Sequence, residues 1–208
     1  MKKVFSIFLI FILLLGVSGC GKKEESDALK FKKEYEALNG EESASGKTIR
    51  TVSIDEDNPM LYSTAKEIVE KIENKDTFIV YFGFASCPWC RSMIETLIQS
   101  AKDNGVDTIY YVDVYGIRDK ITVNDSGELE RDAGDKNYMK LLELLDDVLS
   151  DYSVEDSSGN SVDTGEKRIY APNVVAIVDG VATKLAEGIA DGLEDPYAEL
   201  TDEMKEDS

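Results

Sequence analysis

The chain of 208 residues contains no histidine and only three cysteines. A structural zinc site needs four nitrogen or sulfur ligands, which one close pair of cysteines without histidine does not supply, so we expect no metal. Basic residues are also scarce: 23 Lys and Arg stand against 42 Asp and Glu, for a formal net charge of −19. Because such an acidic surface repels phosphates, the sequence indicates neither a nucleic acid partner nor binding to anionic headgroups.

The apolar run at residues 4–15 follows a basic start. It is too short to span a bilayer as a helix and fits the apolar core of a signal peptide. Small residues then lead to Cys20, as in a bacterial lipobox. We therefore predict that residues 1–19 are a lipoprotein signal peptide and that lipidated Cys20 holds the protein at the outer face of the cell membrane. The alternative is an ordinary signal peptide followed by an unrelated cysteine.

The other two cysteines stand at a predicted strand-to-helix junction. The apolar run from Phe78 to Phe82, rich in β-branched and aromatic residues, predicts a strand buried on both faces. The apolar residues that follow recur at helical spacing: Cys90, Met93, Ile94, Leu97, Ile98 and Ala101. Pro88 suits the first turn of this helix, where its missing N–H costs nothing. Cys87 and Cys90 are therefore expected on that turn.

This position favours thiol–disulfide chemistry. Unpaired backbone N–H groups and the dipole at a helix N-terminus stabilise a thiolate, which is the attacking species in thiol–disulfide exchange. Cys90 begins the apolar stripe and is expected to face inward. We predict that Cys87 attacks a substrate disulfide or receives electrons, and that Cys90 resolves the mixed disulfide. The redox-active disulfide of this pair is the only cofactor that we expect.

Residues 20–47 are rich in Lys, Glu, Ser and Gly. This composition predicts a lipid anchor and flexible tether ahead of a folded domain at residues 48–208. The one apolar cluster in the segment, from Leu29 to Leu38, is compatible with a short helix.

Within the predicted domain, strands and helices alternate. Thr48 to Ile54 alternates apolar and polar residues, as an edge or half-buried strand does. Asp57-Asn58-Pro59 predicts the start of a helix, and Thr108 to Val114 predicts another strand. With the central strand and the Cys-x-x-Cys helix between them, the order is β-α-β-α-β. It favours an α/β fold whose sheet contains parallel strands.

The second half of the predicted domain carries two polar insertions. Residues 115–136 contain a turn signal and are compatible with a small hairpin, whereas residues 155–166 are predicted to be a loop. Between them, residues 138–152 have the spacing of an amphipathic helix. Asp179-Gly180 between two apolar runs predicts a hairpin, and Asp195-Pro196 predicts a short last helix.

The Cys-Pro-Trp-Cys motif after a strand, Ala171-Pro172 before a strand, the Asp179-Gly180 hairpin and Gly188 beyond it resemble the thioredoxin superfamily. More closely, the chain is similar to thioredoxin-like lipoproteins of Gram-positive bacteria, including bacteriocin transport accessory proteins. The resemblance implies a thioredoxin-like fold, with a central mixed β-sheet flanked by helices and polar insertions on both sides of the third domain helix. It covers about residues 48–205.

The resemblance also implies roles for individual residues. Cys87 would be the exposed nucleophile and Cys90 the resolving thiol. Pro172 would be a cis-proline beside the disulfide, and the backbone of Ala171 would pair with an extended substrate. Trp89 has two interpretations, either as an exposed contact for substrate peptides or as a residue that packs over the motif.

The chain departs from thioredoxin at two places. Thioredoxin carries a buried acid at the position of Tyr81, where it helps to deprotonate the resolving thiol, so the proton is expected to move through water or another carboxylate here. Pro-Trp replaces the Gly-Pro of thioredoxin between the cysteines, and this dipeptide tunes the reduction potential.

Three functions agree with the sequence. The first is an extracytoplasmic thiol–disulfide oxidoreductase that acts on exported proteins or peptides together with a membrane redox partner. The second is a tethered binding module for a peptide or an export machine, because long loops often carry binding. The third is an inert domain with a structural disulfide, which ranks last because so short a loop gains little from cross-linking.

Overall fold

The computed structural model describes residues 25–189, 192–198, 200–201 and 204. The predicted signal peptide and the predicted lipidation site Cys20 lie outside these residues. The described part contains helices α1 (Asp27–Glu36), α2 (Ala65–Glu73), α3 (Pro88–Asp103) and α4 (Lys136–Leu144). Its strands are β1 (Met60–Tyr62), β2 (Phe78–Gly83), β3 (Ile109–Asp113), β4 (Lys120–Val123), β5 (Leu129–Asp132), β6 (Ser150–Glu155), β7 (Ser161–Arg168), β8 (Asn173–Val178) and β9 (Val181–Ala186). Among the described helices, none has the length and apolar character needed to cross a membrane.

Five strands form a mixed sheet in the order β1-β3-β2-β8-β9. The first three are mutually parallel, whereas β8 is antiparallel to β2 and β9 to β8. Helices α1 and α3 cover one face of the sheet, and α2 and α4 cover the other. The central strand β2 buries Tyr81 on the first face and Val80 on the second. The predictions of an α/β fold, of a mixed sheet flanked by helices and of a strand buried on both faces are therefore confirmed.

Helix α1 is part of the folded domain, which corrects the expectation of a flexible tether for residues 27–47. Phe31 and Tyr35 lie one turn apart on its inner face, have no exposed surface and pack edge-on against Tyr111 of β3. The chain then turns back, and the N–H of Gly40 donates to the carbonyl of Ile49 at 3.2 Å. The charged composition suggested a tether, but two aromatic residues four positions apart bury enough apolar surface to dock the helix.

Residues 51–54 show the alternating burial of a strand, but residues 49–54 lie outside every sheet in the described part. Side chains of α1 and of the turn after it bind this backbone. Asn39 donates to the carbonyl of Val52 at 2.8 Å and accepts from its N–H at 3.0 Å, while Glu36 accepts from the N–H of Ile54 at 2.8 Å. The strand predicted at 48–54 is therefore wrong, because these side chains satisfy the hydrogen bonds that a neighbouring strand would make.

One edge of the five-stranded sheet is β1. This strand directly follows Asp57-Asn58-Pro59, which predicted the start of a helix. Helix α2 begins later, after Thr64. The Thr64 hydroxyl accepts from the N–H of Glu67 at 3.2 Å, and the Glu67 carboxylate accepts from the N–H of Thr64 at 2.7 Å. This reciprocal capping box sets the start of the helix more strongly than the proline upstream.

The two polar insertions fold into hairpins. Strands β4 and β5 pair as the small hairpin expected within residues 115–136. The loop predicted at residues 155–166 is wrong, since β6 and β7 form a second antiparallel hairpin there. Helix α4 accordingly ends at Leu144, and Tyr152 belongs to β6 rather than to the predicted helix at 138–152.

The Asp179-Gly180 hairpin between β8 and β9 is confirmed. Both turn residues have positive φ, 51° and 77°, as this type of tight turn requires. At the predicted last helix, Asp195 instead begins a turn, in which its carbonyl accepts from the N–H of Ala198 at 2.9 Å.

Candidate functional site

Cys87 is the N-cap of α3, and Pro88 is the first helical residue, as the sequence predicts. The Cys87 Sγ accepts a hydrogen bond from the backbone N–H of Cys90 at 3.2 Å. A cap residue turns its side chain back toward the first free N–H groups of the helix. The sulfur of Cys87 is thereby held at the positive end of the helix dipole.

Both thiols lie beneath the surface. Cys87 is 3% exposed and Cys90 is fully buried, and both are free cysteines in this structure. The inward orientation predicted for Cys90 is confirmed, whereas the expectation of an exposed Cys87 is wrong. The reason lies in the residues before β8: the thiol of Cys87 donates to the carbonyl of Ala171 at 3.2 Å, so that this segment lies over the sulfur.

The two thiols have opposite acidities. The hydrogen bond from Cys90, helped by the backbone N–H groups of Cys90 and Trp89 and by the positive charge of Arg118, lowers the pKa of Cys87 despite partial desolvation. Burial, followed by the hydrogen bond with Cys87, raises the pKa of Cys90 well above its ordinary value. The negative charge of the deprotonated pair therefore resides on Cys87, the residue that the sequence assigns as the nucleophile.

The phenol of Tyr81 lies near the Cys90 sulfur, where it lowers the pKa of that thiol. Its oxygen is 2.9 Å from that of Tyr35 on α1, and neither tyrosine has exposed surface. Burial raises the pKa of both phenols well above the ordinary value, so each keeps its proton at neutral pH. The chain therefore places a neutral phenol, rather than a carboxylate, near the sulfur of Cys90. Tyr81 lowers the pKa of Cys90, against the larger effect of burial.

Gly83 makes room for this phenol. A Cβ atom at position 83 would overlap the ring and hydroxyl of Tyr81, which lies two residues earlier on the same face of β2. The glycine that ends the strand is thus also needed for the position of Tyr81.

Arg91 connects the first turn of α3 to the rest of the domain through hydrogen bonds to backbone carbonyls. Its guanidinium is almost fully buried and donates to the carbonyls of Arg50, Tyr35 and Ala85 at 2.7, 2.9 and 3.0 Å. Burial lowers the pKa of this guanidinium. Carbonyl oxygens from three separate segments thereby fix the helix that carries both cysteines.

The Ala171–Pro172 peptide bond is cis, as the resemblance implies. Both residues line a pocket of about 330 Å³ together with Trp89 and Tyr170. Trp89 is partly exposed and packs against the core, so it both covers the motif and forms a wall of this pocket. The predicted site residues Cys87, Trp89, Cys90, Ala171 and Pro172 therefore meet at one place.

A second group of residues comes from the segment before β4. The guanidinium of Arg118 lies 5.2 Å from the ring centre of Phe84. The ring of Tyr115, which is 68% exposed, also packs against Phe84, with the two ring centres 5.1 Å apart. No sequence pattern predicted the role of Arg118, because nothing local links residue 118 to residue 87. Sequence reasoning also missed the contact of Tyr35 with Tyr81, although the four-residue spacing of Tyr35 from Phe31 is visible in the sequence.

Among the residues that the structure describes, no three Cys, Asp or Glu side chains are grouped so as to hold a metal ion. The chain matches no protein-family model and no curated protein. The geometry of the site is therefore the basis for the function.

Proposed function

We propose that this protein is a membrane-tethered, extracytoplasmic thiol–disulfide oxidoreductase with a thioredoxin-like fold. The observation that carries the proposal is the asymmetry of the Cys-x-x-Cys pair. Cys87 caps a helix and has a lowered pKa, while Cys90, one turn inward, has a raised pKa. A structural disulfide needs no such difference in pKa. An exchange reaction needs one sulfur that attacks as a thiolate and a second sulfur that stays protonated until the mixed disulfide has formed.

The first step is attack of the Cys87 thiolate on one sulfur of a substrate disulfide. A bond forms between Cys87 and that sulfur, the substrate S–S bond breaks, and the other substrate sulfur leaves as a thiolate that takes a proton from water. The carbonyl of Ala171 hydrogen-bonds to Cys87 before attack. Once Cys87 has lost its proton, this carbonyl is free to accept a hydrogen bond from an extended substrate backbone.

In the second step Cys90 passes its proton to water and attacks the sulfur of Cys87. The Cys87–Cys90 disulfide forms, and the second substrate sulfur leaves and is protonated, so that the substrate gains two electrons and the protein loses two. The Tyr81 hydroxyl donates to the sulfur of Cys90 as its charge develops. A dithiol at the membrane restores the pair, and the reverse sequence forms substrate disulfides.

The thioredoxin-like fold is supported by the order of the parts. A buried parallel strand leads into the Cys-x-x-Cys helix, and the cis Ala171–Pro172 bond precedes the antiparallel strand β8 beside it. The proposed tether begins at lipidated Cys20 and is shorter than residues 20–47, because α1 is docked on the sheet. Attachment at the outer face of the cell membrane brings the pair to exported substrates.

Mixed-disulfide trapping tests the proposal. A Cys90→Ser variant is incubated with a disulfide-bonded protein such as insulin, and the products are separated without reductant. We expect a covalent complex through Cys87 in this variant, turnover without accumulation in the wild-type protein, and neither in Cys87→Ser. Full reduction of insulin by Cys87→Ser would overturn the proposal.

A second candidate function is a binding module, which the pocket beside Trp89 favours. The Cys87→Ser/Cys90→Ser variant separates the two functions. Capture of the same partners by this variant and by the wild-type protein would support a module. Capture that requires Cys87 supports the exchange reaction.

A further inference from the structure

A charged pair is buried between the two hairpins. The guanidinium of Arg168, the last residue of β7, lies 2.9 Å from the carboxylate of Asp119, which directly precedes β4, and the two side chains are only 8% and 6% exposed. Arg168 also donates to the backbone carbonyl of Asp119 at 2.6 Å and lies over the ring of Tyr152, 4.3 Å from its centre. These contacts fix the segment before β4 to the end of β7.

Gly134 packs directly on the same segment. A Cβ atom at position 134 would lie 2.5 Å from the backbone nitrogen of Asp119 and 2.7 Å from the carbonyl oxygen of Ile117. Because both atoms belong to the backbone, only glycine lets the chain after β5 approach so closely. The N–H of the next residue, Asp135, donates to the carbonyl of Ile117 at 2.8 Å. The segment before β4 is therefore held a second time, by the end of its own hairpin.

This segment carries Arg118, whose guanidinium lies 5.2 Å from the ring centre of Phe84. Phe84 lies between β2 and α3, and its carbonyl accepts from the N–H of Cys87 at 3.1 Å. Cys87 is faced by Cys90, one turn along the helix, and by the positive charge of Arg118, which favours its thiolate. Arg118 forms no salt bridge with a carboxylate of the described residues, in contrast to Arg131 and Arg168.

We propose that the Arg168–Asp119 pair and Gly134 are positioning residues, which hold the guanidinium of Arg118 beside the reacting sulfur of Cys87. Asp119 and Gly134 flank the β4–β5 hairpin, and Arg168 ends the β6–β7 hairpin, so both insertions contribute to the placement of this charge. The inference rests on the proposed function for the use of the thiolate in disulfide exchange. The placement of the charge itself is measurable without turnover.

The test compares alkylation of Cys87 by two reagents of similar size, neutral iodoacetamide and anionic iodoacetate. At a pH where Cys87 is fully ionised, the ratio of the two rates reports the local electrostatic potential. Mass spectrometry assigns the modified residue. Arg118→Gln removes one partly screened positive charge, so we expect the rate with iodoacetate, relative to that with iodoacetamide, to fall by about two- to fivefold.

The decisive variants leave Arg118 in the chain. Asp119→Asn/Arg168→Met removes the buried pair without changing the net charge and without leaving an unpaired buried ion. Gly134→Ala displaces the same backbone and alters no charged residue. In both variants we expect the ratio to fall to about that of Arg118→Gln, and combination with Arg118→Gln should add no further loss, because the effect passes through Arg118.

Two matched controls should keep the wild-type ratio. Arg131→Gln/Glu166→Gln also removes an ion pair between the two hairpins, but an exposed one, with its charged atoms 2.8 Å apart. Gly116→Ala adds a methyl group to the segment that carries Arg118, at a position where a Cβ atom meets nothing within 4 Å.

A wild-type ratio in Arg118→Gln, in Asp119→Asn/Arg168→Met or in Gly134→Ala would overturn the inference, as would an equal loss in the controls or a further loss on combination. Circular dichroism checks that each variant is folded, and Gly134→Ala decides alone if the pair variant is not. The expected ratios in a protein that reduces no disulfide would instead overturn the proposed function and leave the positioning of Arg118 intact.

Discussion

The phenol oxygens of Tyr35 and Tyr81 lie 2.9 Å apart in the core, and the second phenol lowers the pKa of Cys90. A hydroxyl that hydrogen-bonds to a charged group contributes about 1.5–3 kcal/mol. We therefore expect Tyr81→Phe to slow resolution of the mixed disulfide by about tenfold or more, while attack by Cys87 continues at its normal rate. Single-turnover experiments that follow formation and decay of the mixed disulfide measure the two steps separately.

Tyr138→Phe is the matched control for Tyr81→Phe. The Tyr138 hydroxyl is buried without a hydrogen-bond partner in the described part of the chain and lies on the other face of the sheet. Gly83→Ala should reproduce the effect of Tyr81→Phe, because the added Cβ displaces the phenol. Normal resolution in Tyr81→Phe would show that the phenol does not assist Cys90.

The lowered pKa of Cys87 predicts the pH dependence of its alkylation. The thiolate is the reactive form, so a lower pKa keeps the rate high at a lower pH. Alkylation of Cys87 by iodoacetamide should reach half its maximum below the pH of an ordinary thiol, which is about 8.5. Mass spectrometry assigns the modified residue, and Cys90, whose pKa is raised, should react far more slowly.

The charge of Arg118 contributes to this effect. Arg118→Gln removes a positive charge that lowers the pKa of Cys87, so its alkylation profile should move to higher pH. Arg131→Gln is the control, because Arg131 pairs with Glu166 on the β6–β7 hairpin. Identical profiles for Arg118→Gln and the wild-type protein would contradict the role of Arg118.

Docking of α1 predicts a large effect of Phe31→Ala on stability. The ring has no exposed surface, and removal of a buried phenylalanine side chain costs about 3–5 kcal/mol. Chemical denaturation of the domain should show this loss, whereas Tyr115→Ala, which removes a mostly exposed ring, should change the free energy of unfolding little. A flexible tether over residues 27–47 would instead make Phe31→Ala neutral.

Arg91 predicts a second large effect on stability. Arg91→Met leaves three carbonyls without their donor, and each buried unsatisfied group costs about 1–3 kcal/mol. We expect a loss of about 3 kcal/mol or more in the free energy of unfolding. The exposed Arg131→Met should cost less than about 1 kcal/mol, so equal effects of the two substitutions would contradict the assigned role.

Local signals predicted the centre of this protein well. The apolar run of β2, the proline after Cys87 and the Asp179-Gly180 turn each act within a few residues, and the structure confirms all three elements. The parts that sequence reasoning missed depend on distant contacts. Tyr35 meets Tyr81 across 46 residues, and no local pattern predicts that pairing.

The prediction from composition was wrong in a segment that is rich in polar and charged residues. Residues 155–166 carry so many polar side chains that they indicated a loop, yet β6 and β7 pair with only one buried side chain, Thr164, in that stretch. A hairpin exposed on most of its surface needs no apolar alternation.

The central claim is that Cys87 and Cys90 form a reversible redox pair, and the most direct test is a redox titration of the folded domain. Because Trp89 lies between the two cysteines, its fluorescence should follow the ratio of thiol to disulfide. The account predicts a reversible two-electron transition between about −270 and −120 mV that is absent in Cys87→Ser. A pair that does not equilibrate, or whose potential lies below about −300 mV as in structural disulfides, would contradict it.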